Sequence, residues 1–315
     1  MVASPKESSR LFRMPLPPSS APMQADVPTQ WHKTALEAAF LFLAANANFF
    51  VVAVIHDLGP RQPLPDVLFY LVPQQRWAWT VSDVTSSIMT VSMFVVALLH
   101  EHTSVVLRRL FAVAALLYLL RAVCLSVTLL PPAFERPEDA CLPQRAANSS
   151  VDYSTVIWRR FLSYMLVGGM TASQGVAGKQ ILCGDLMFSG HTIVIGGMYC
   201  ALLRYLPSRL RWTTWIYAAV CYFGLFCTII SGSHYTIDVL VAYWLTTFVF
   251  YGYHQSAEAT PRDDCGSSPL AKLWWIPLCN WLERDVPEGP LPNRYRWPLP
   301  FPKVASRMVN RFNKD

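Results

Sequence analysis

Charge is what this sequence has least of. Asp, Glu, Lys and Arg make up only 15% of its 315 residues, against roughly a quarter in an ordinary soluble domain. That scarcity, with 53% hydrophobic residues gathered in long runs, excludes a large soluble core and points to several membrane spans. No Lys/Arg-rich block with interleaved aromatics is present, which argues against a nucleic-acid partner. The eight cysteines form no C-x-x-C pair, so a zinc site is not expected. The first 30 residues are rich in Pro and Ser and lack the apolar run and small-residue cleavage site of a signal peptide.

A helix needs about 20 mostly apolar residues to cross a bilayer. Six segments qualify as candidate spans: Ala38–Ile55, Trp79–Leu99, Leu110–Leu130, Met187–Leu206, Trp212–Ile230 and Ile237–Tyr253. Phe161–Met170 is apolar but short and reads as a buried or interfacial segment. The expected fold is all-α, a polytopic membrane protein built as a six-helix bundle. Residues 1–35 are expected to form a disordered cytosolic tail, 36–253 the catalytic transmembrane domain, and 254–315 an extended cytosolic tail. Lys and Arg near span ends favour the cytosolic side. Arg108 and Arg109 fall in the connection after span two, and Arg204, Arg209 and Arg211 near the connection after span four, with no acid beside them. The Ser231–Thr236 connection has no Lys or Arg and is placed in the lumen. Both termini are then cytosolic. The sequon Asn148-Ser149-Ser150 falls in a lumenal loop of this arrangement. Cys141 and Cys183 flank that loop and are candidates for a disulfide, whereas Cys124, Cys200, Cys221 and Cys227 lie in apolar runs and read as small hydrophobes.

The chemistry gathers at two places. Ser189-Gly190-His191-Thr192 opens span four, and His234-Tyr235-Thr236-Ile237-Asp238 opens span six. Span four runs inward and span five returns, so the two histidines share one membrane face. His234 and Asp238 are four apart, on one face of a helix. A carboxylate there can orient the imidazole and leave its other nitrogen as nucleophile or base. Gly190 permits close approach of an anionic phosphate, and two helix N-termini favour negative charge there. Metal binding by the same residues would need a third ligand, for which only Asp185 is available. His56, His100, His102 and His254 read as surface or interface residues. Asp83 and Arg121 lie within spans and either pair with each other or line the head-group pocket, while Asn46 and Asn48 suit helix–helix hydrogen bonds.

These motifs resemble the sphingomyelin synthase family, itself related to the lipid phosphate phosphatases. Pro63-Leu-Pro-Asp66 and Tyr118-Leu-Leu-Arg121 with Val127-Thr-Leu-Leu-Pro131 are similar to its first two signatures. Cys183-Gly-Asp-Leu-Met-Phe-Ser-Gly-His-Thr192 and His234-Tyr-Thr-Ile-Asp-Val-Leu-Val-Ala-Tyr243 are similar to its third and fourth. Phe188 replaces the Pro that phosphatases carry before Ser-Gly-His, and their Lys/Arg-rich first motif is absent. Both departures favour a transferase over a hydrolase.

The resemblance implies transfer of phosphocholine from a phosphatidylcholine donor to a ceramide acceptor, giving sphingomyelin and diacylglycerol. It assigns His234 as nucleophile, Asp238 as its orienting carboxylate, and His191 as acid and then base, with no cofactor and no metal. Asp185, Ser189, Gly190, Arg121 and Tyr235 are the candidates for binding the head group, Asp185 alternatively for steadying His191. A ceramide phosphoethanolamine or inositol phosphorylceramide synthase, and a lipid phosphate phosphatase, are the alternatives. The implied setting is the Golgi, endoplasmic reticulum or plasma membrane, with a lumenal or extracellular active site; a homo-oligomer is left open.

Overall fold

The computed structural model describes residues 27, 29–146, 151–166, 180–258, 273–287 and 289–296. The Asn148 sequon, Cys265 and the Trp297–Pro302 segment lie outside the described residues. The architecture is all-helical: α1 (Trp31–Ile55), α2 (Val67–Leu71), α3 (Arg76–Leu99), α4 (Thr103–Val127), α5 (Pro137–Ala140), α6 (Tyr153–Leu166), α7 (Gly190–Tyr205), α8 (Thr214–Ile230, entered through a 3-10 turn at Ser208–Thr213), α9 (Thr236–Glu258) and α10 (Ile276–Glu283). Four of these are long and apolar enough to cross a membrane: α1, α3, α4 and the continuous stretch Ser208–Ile230. α7 spans 16 residues, about 24 Å at 1.5 Å per residue. It begins at Gly190 rather than at the expected Met187, because the Ser189 side chain accepts from the Thr192 backbone N–H and caps the helix there.

α1 packs along α4, while α3, α8 and α9 surround α7. Leu117, Ile195, Leu202 and Phe250 fill the interior, whereas Phe42, Leu43, Val91, Trp215 and Trp244 face outward with more than half their surface exposed. An apolar core with an equally apolar rim is what a bundle solvated by hydrocarbon requires. α6 packs on α1 through an aromatic cluster of Phe50, Trp158 and Phe161, with only Tyr164 buried. Residues 161–166 of the apolar segment read from the sequence form its second half; residues 167–170 are not described.

One end of the bundle differs from expectation. Arg108 and Arg109 are not in a loop but within α4, fully buried. The cause lies far along the chain. Glu283 of α10, itself buried, receives Arg109 Nη2 at 2.8 Å and Nε at 3.2 Å, and sits 3.5 Å from Arg108 Nη2. The segment after His254 is therefore not simply extended, since α10 docks beneath α9 and supplies that counter-charge. Arg204 likewise has an acid beside it, pairing with Glu258. Lys33 in α1 meets Asp285 at 2.7 Å, tying the N-terminal helix to the same corner. His56, His100 and His254, read as surface or interface groups, are buried instead, each hydrogen-bonded to backbone or to a tyrosine.

At the opposite end Cys141 and Cys183 form a disulfide closing a loop 42 residues in sequence separation. In the chain-entropy account such a closure contributes about 4 kcal/mol. The paired Cys141→Ser/Cys183→Ser protein should unfold at a lower temperature than the native one, as should native protein after reduction. Identical melting of native and reduced protein would refute the contribution.

Candidate active site

The site is assembled at the end of the bundle that carries the disulfide. The turn between α8 and α9 is tight. Ser231 Oγ meets Ser233 Oγ at 2.8 Å, and Gly232 has φ +75°. A Cβ on Gly232 would fall 2.3 Å from Gln74 Oε1, so both conformation and space demand glycine. Beyond it, Asp66 caps α9: its Oδ2 accepts the Thr236 N–H at 2.7 Å and its Oδ1 the Thr236 hydroxyl at 2.8 Å. The role of the Pro63-Leu-Pro-Asp66 segment is thereby defined, since it fixes the first turn of the helix that carries Asp238.

His191 and His234 converge with ring centroids 6.2 Å apart. Both border a cavity of about 280 Å³ whose walls include Asp83, Arg121, Asp185 and Gly190 together with Trp79, Phe134, Tyr118 and Tyr164. Asp238 lies fully buried behind His234, its Oδ2 accepting the Tyr235 N–H at 3.1 Å. The same oxygen is 4.0 Å from His234 Nδ1, longer than a hydrogen bond. His234 Nδ1 has no other partner. Burial first, then the positive charges of His191 and Arg121, push the His234 imidazole down to about 3. It is held neutral, the state a nucleophilic nitrogen requires.

Asp83 and Arg121 do not pair with each other. His191 Nε2 meets Asp83 Oδ1 at 2.7 Å, whereas Arg121 Nη2 donates to Asp185 Oδ1 at 2.7 Å. Arg121 Nε donates to the Phe188 carbonyl at 2.6 Å and Nη1 to Asn48 Oδ1 at 3.2 Å. Asn48 also donates to the Tyr118 carbonyl across the α1–α4 contact, while Asn46 bonds only within its own helix, to Phe42. The carboxylate beside His191 is thus Asp83, and Asp185 serves the guanidinium instead. Ser189 and Tyr235, expected at the head group, face the scaffold. Ser189 is the α7 cap, and the Tyr235 hydroxyl accepts from Leu64 N at 2.8 Å and donates to the Pro131 carbonyl at 3.2 Å. Among the described residues no group of three His, Cys, Asp or Glu is placed to hold a metal ion.

The arrangement is a neutral imidazole facing a second, carboxylate-paired imidazole, with a guanidinium on the wall between helices. It suits phosphoryl chemistry, in which one histidine attacks and the other moves a proton, while fixed positive charge faces the phosphate oxygens. Comparison with known proteins narrows this. Residues 182–255 match the family described as PAP2 superfamily C-terminal. The chain is 46% identical over 281 residues to phosphatidylcholine:ceramide cholinephosphotransferase 2 of Caenorhabditis elegans, covering 89% of this chain and 82% of that one. It belongs to the sphingomyelin synthase family. The family resemblance extends to vertebrates, with 30% identity to phosphatidylcholine:ceramide cholinephosphotransferase 1 of Rattus norvegicus over 95% of this chain and 71% of that one. The human protein of the same name is 29% identical over the same share of this chain and 72% of its own. Membership makes the chain a transferase of phosphorus-containing groups, and the matched block 182–255 contains both histidines and Asp238.

Proposed function

We propose that this family member moves phosphocholine from phosphatidylcholine to ceramide, producing sphingomyelin and diacylglycerol. The observation that carries the reading is the facing pair of histidines, 6.2 Å apart across a cavity bordered by Arg121, in a chain whose relatives bear that activity in their names. His234 attacks phosphorus, and a P–N bond forms as the P–O bond to diacylglycerol breaks. His191 delivers its proton to the departing oxygen. Ceramide then enters, His191 takes the proton of its primary hydroxyl, and that oxygen displaces His234 from phosphorus. Arg121, Asp185 and Gly190 form the anionic head-group side of the pocket, and Asp238 behind His234 steadies its orientation.

The same reading takes α7 and α9 as spans alongside the four longer helices, giving six, with both termini cytosolic. It draws on Arg108, Arg109 and Arg204, which sit at the end away from the histidines. The Cys141–Cys183 disulfide at the histidine end fits an oxidising compartment. The site then opens to the Golgi or endoplasmic reticulum lumen or to the cell exterior.

The test uses purified protein in vesicles with fluorescent ceramide and, separately, phosphatidylcholine, phosphatidylethanolamine or phosphatidylinositol. Fluorescent sphingomyelin from the choline donor alone is expected. Product from ethanolamine or inositol lipid instead would reassign the donor. Phosphate release from a phosphatidic acid substrate, indifferent to ceramide, would make the protein a lipid phosphatase, the activity class of the wider group whose model it matches.

A further inference from the structure

We propose that Ser86 recognises the acceptor lipid by accepting its amide N–H, so that the α3 wall of the cavity distinguishes ceramide from diacylglycerol. The inference rests on the phosphotransferase reading above and deepens it by naming a residue that selects the acceptor.

Ser82, Ser86 and Ser87 follow closely in α3. Serines in an apolar helix commonly bond back to the carbonyl four residues earlier. Ser87 does so, its hydroxyl donating to the Asp83 carbonyl at 2.9 Å. Ser82 is engaged with α8, its Oγ 2.6 Å from Thr228 Oγ1. Ser86 has neither attachment. It is half-buried and lines the cavity, and among the described residues its hydroxyl has no hydrogen-bond partner. An unmet hydroxyl within an apolar bundle is costly, and a polar group on a bound lipid removes that cost.

Its place along α3 fits the acceptor. Asp83 contacts His191 and so marks the depth of the reacting oxygen. Ser86 follows three residues later, about 4.5 Å deeper at 1.5 Å per residue. In ceramide two carbons separate the primary hydroxyl from the amide nitrogen. With that hydroxyl at His191, the N–H falls at the level of Ser86. Diacylglycerol carries an ester oxygen at the corresponding position and has no proton to give there. The lipid chains have a route from the same spot. At about 100° per residue, Ser87 falls between the cavity-facing Asp83 and Ser86 and the exposed Val84, Ile88 and Val91. The edge of the cavity therefore meets the outward side of α3 beside Ser87, itself exposed. Phe49 of α1 and Val194 of α7 add apolar wall for the first carbons of the chains.

A serine that only packs would affect every acceptor alike, so the experiment compares two acceptors with phosphatidylcholine as donor. One is fluorescent ceramide. The other is its isosteric analogue, in which an ester oxygen replaces the amide N–H. Full-length wild type should use ceramide about 2- to 10-fold better in kcat/KM, the worth of one net hydrogen bond. That comparison needs no variant. Ser86→Ala should lose the preference and use both acceptors as wild type uses the ester. Ser86→Thr, which keeps the hydroxyl, should retain it. Wild type that uses the two acceptors equally would overturn the proposal. So would a Ser86→Ala protein that keeps the full preference or loses the same factor on both. Absence of product from either acceptor with wild type would instead remove the parent reading, whatever Ser86 does.

Discussion

Substituting His234 by alanine is expected to abolish sphingomyelin formation while leaving a folded, membrane-inserted protein. His234 sits in a connection between helices, and its ring faces that of His191. In the proposed mechanism its loss removes the nucleophile. His191→Ala should lower kcat by about 10²- to 10⁴-fold, the usual worth of a positioned acid–base group. The double substitution should cost little more than His234→Ala alone, because the two act on the same step. Incubated with head-group-labelled phosphatidylcholine and no ceramide, wild type should retain an acid-labile label that chases into sphingomyelin when ceramide is added. His234→Ala should retain none. Label on a His234→Ala protein, or full turnover by it, would remove His234 from the mechanism. Asp238→Asn is a subtler case. It is not in hydrogen-bond contact with His234, at 4.0 Å, so its loss should act on ring orientation and lower kcat with KM nearly unchanged.

The second large effect lies at the other end of the molecule. Glu283→Ala should destabilise the protein by about 3–5 kcal/mol, the cost of removing one partner from a buried ion pair. Here the loss strands two guanidinium groups, since Arg108 and Arg109 are both fully buried and both face Glu283. Glu258 lies 3.8 Å from Arg109 Nη1 and compensates only in part. Thermal unfolding in detergent should register the change as a clear drop in melting temperature. Glu283→Gln, which keeps the shape and one acceptor oxygen but not the charge, should fall between. Turnover per folded molecule should hold steady, because the cluster is at the end of the bundle away from the cavity. A Glu283→Ala protein as stable as wild type would mean that water or lipid, not α10, neutralises those arginines.

The two ends differ in how much of them could be read from the chain. His191, His234 and Asp238 were legible because each rests on local spacing or on the parity of spans. An i, i+4 pair shares a helix face whatever surrounds it, and two intervening helices return the chain to the same end of the bundle. The disulfide was a candidate on similar grounds. The partners of Asp83, Asp66 and Glu283 were not legible. Asp83 is 108 residues from His191 and Glu283 is 174 from Arg109, and nothing in the spacing of such pairs says which will meet. Tyr235 and Ser189, attractive because they flank the histidines, turned out to hold backbone instead.

Sequence by itself determined the class of molecule, the helices and their approximate ends, and which residues stand at a common end of the bundle. Those follow from hydrophobic runs and helical period, which are properties of one segment at a time. Tertiary structure decided the partners: Asp83 rather than Asp185 beside His191, Asp185 rather than Asp83 beside Arg121, and a C-terminal helix as counter-charge for α4. Partner choice depends on the rotation and depth at which two helices pack. A turn of 100° per residue moves a carboxylate from lipid to cavity, and only the packing of the whole bundle sets that angle.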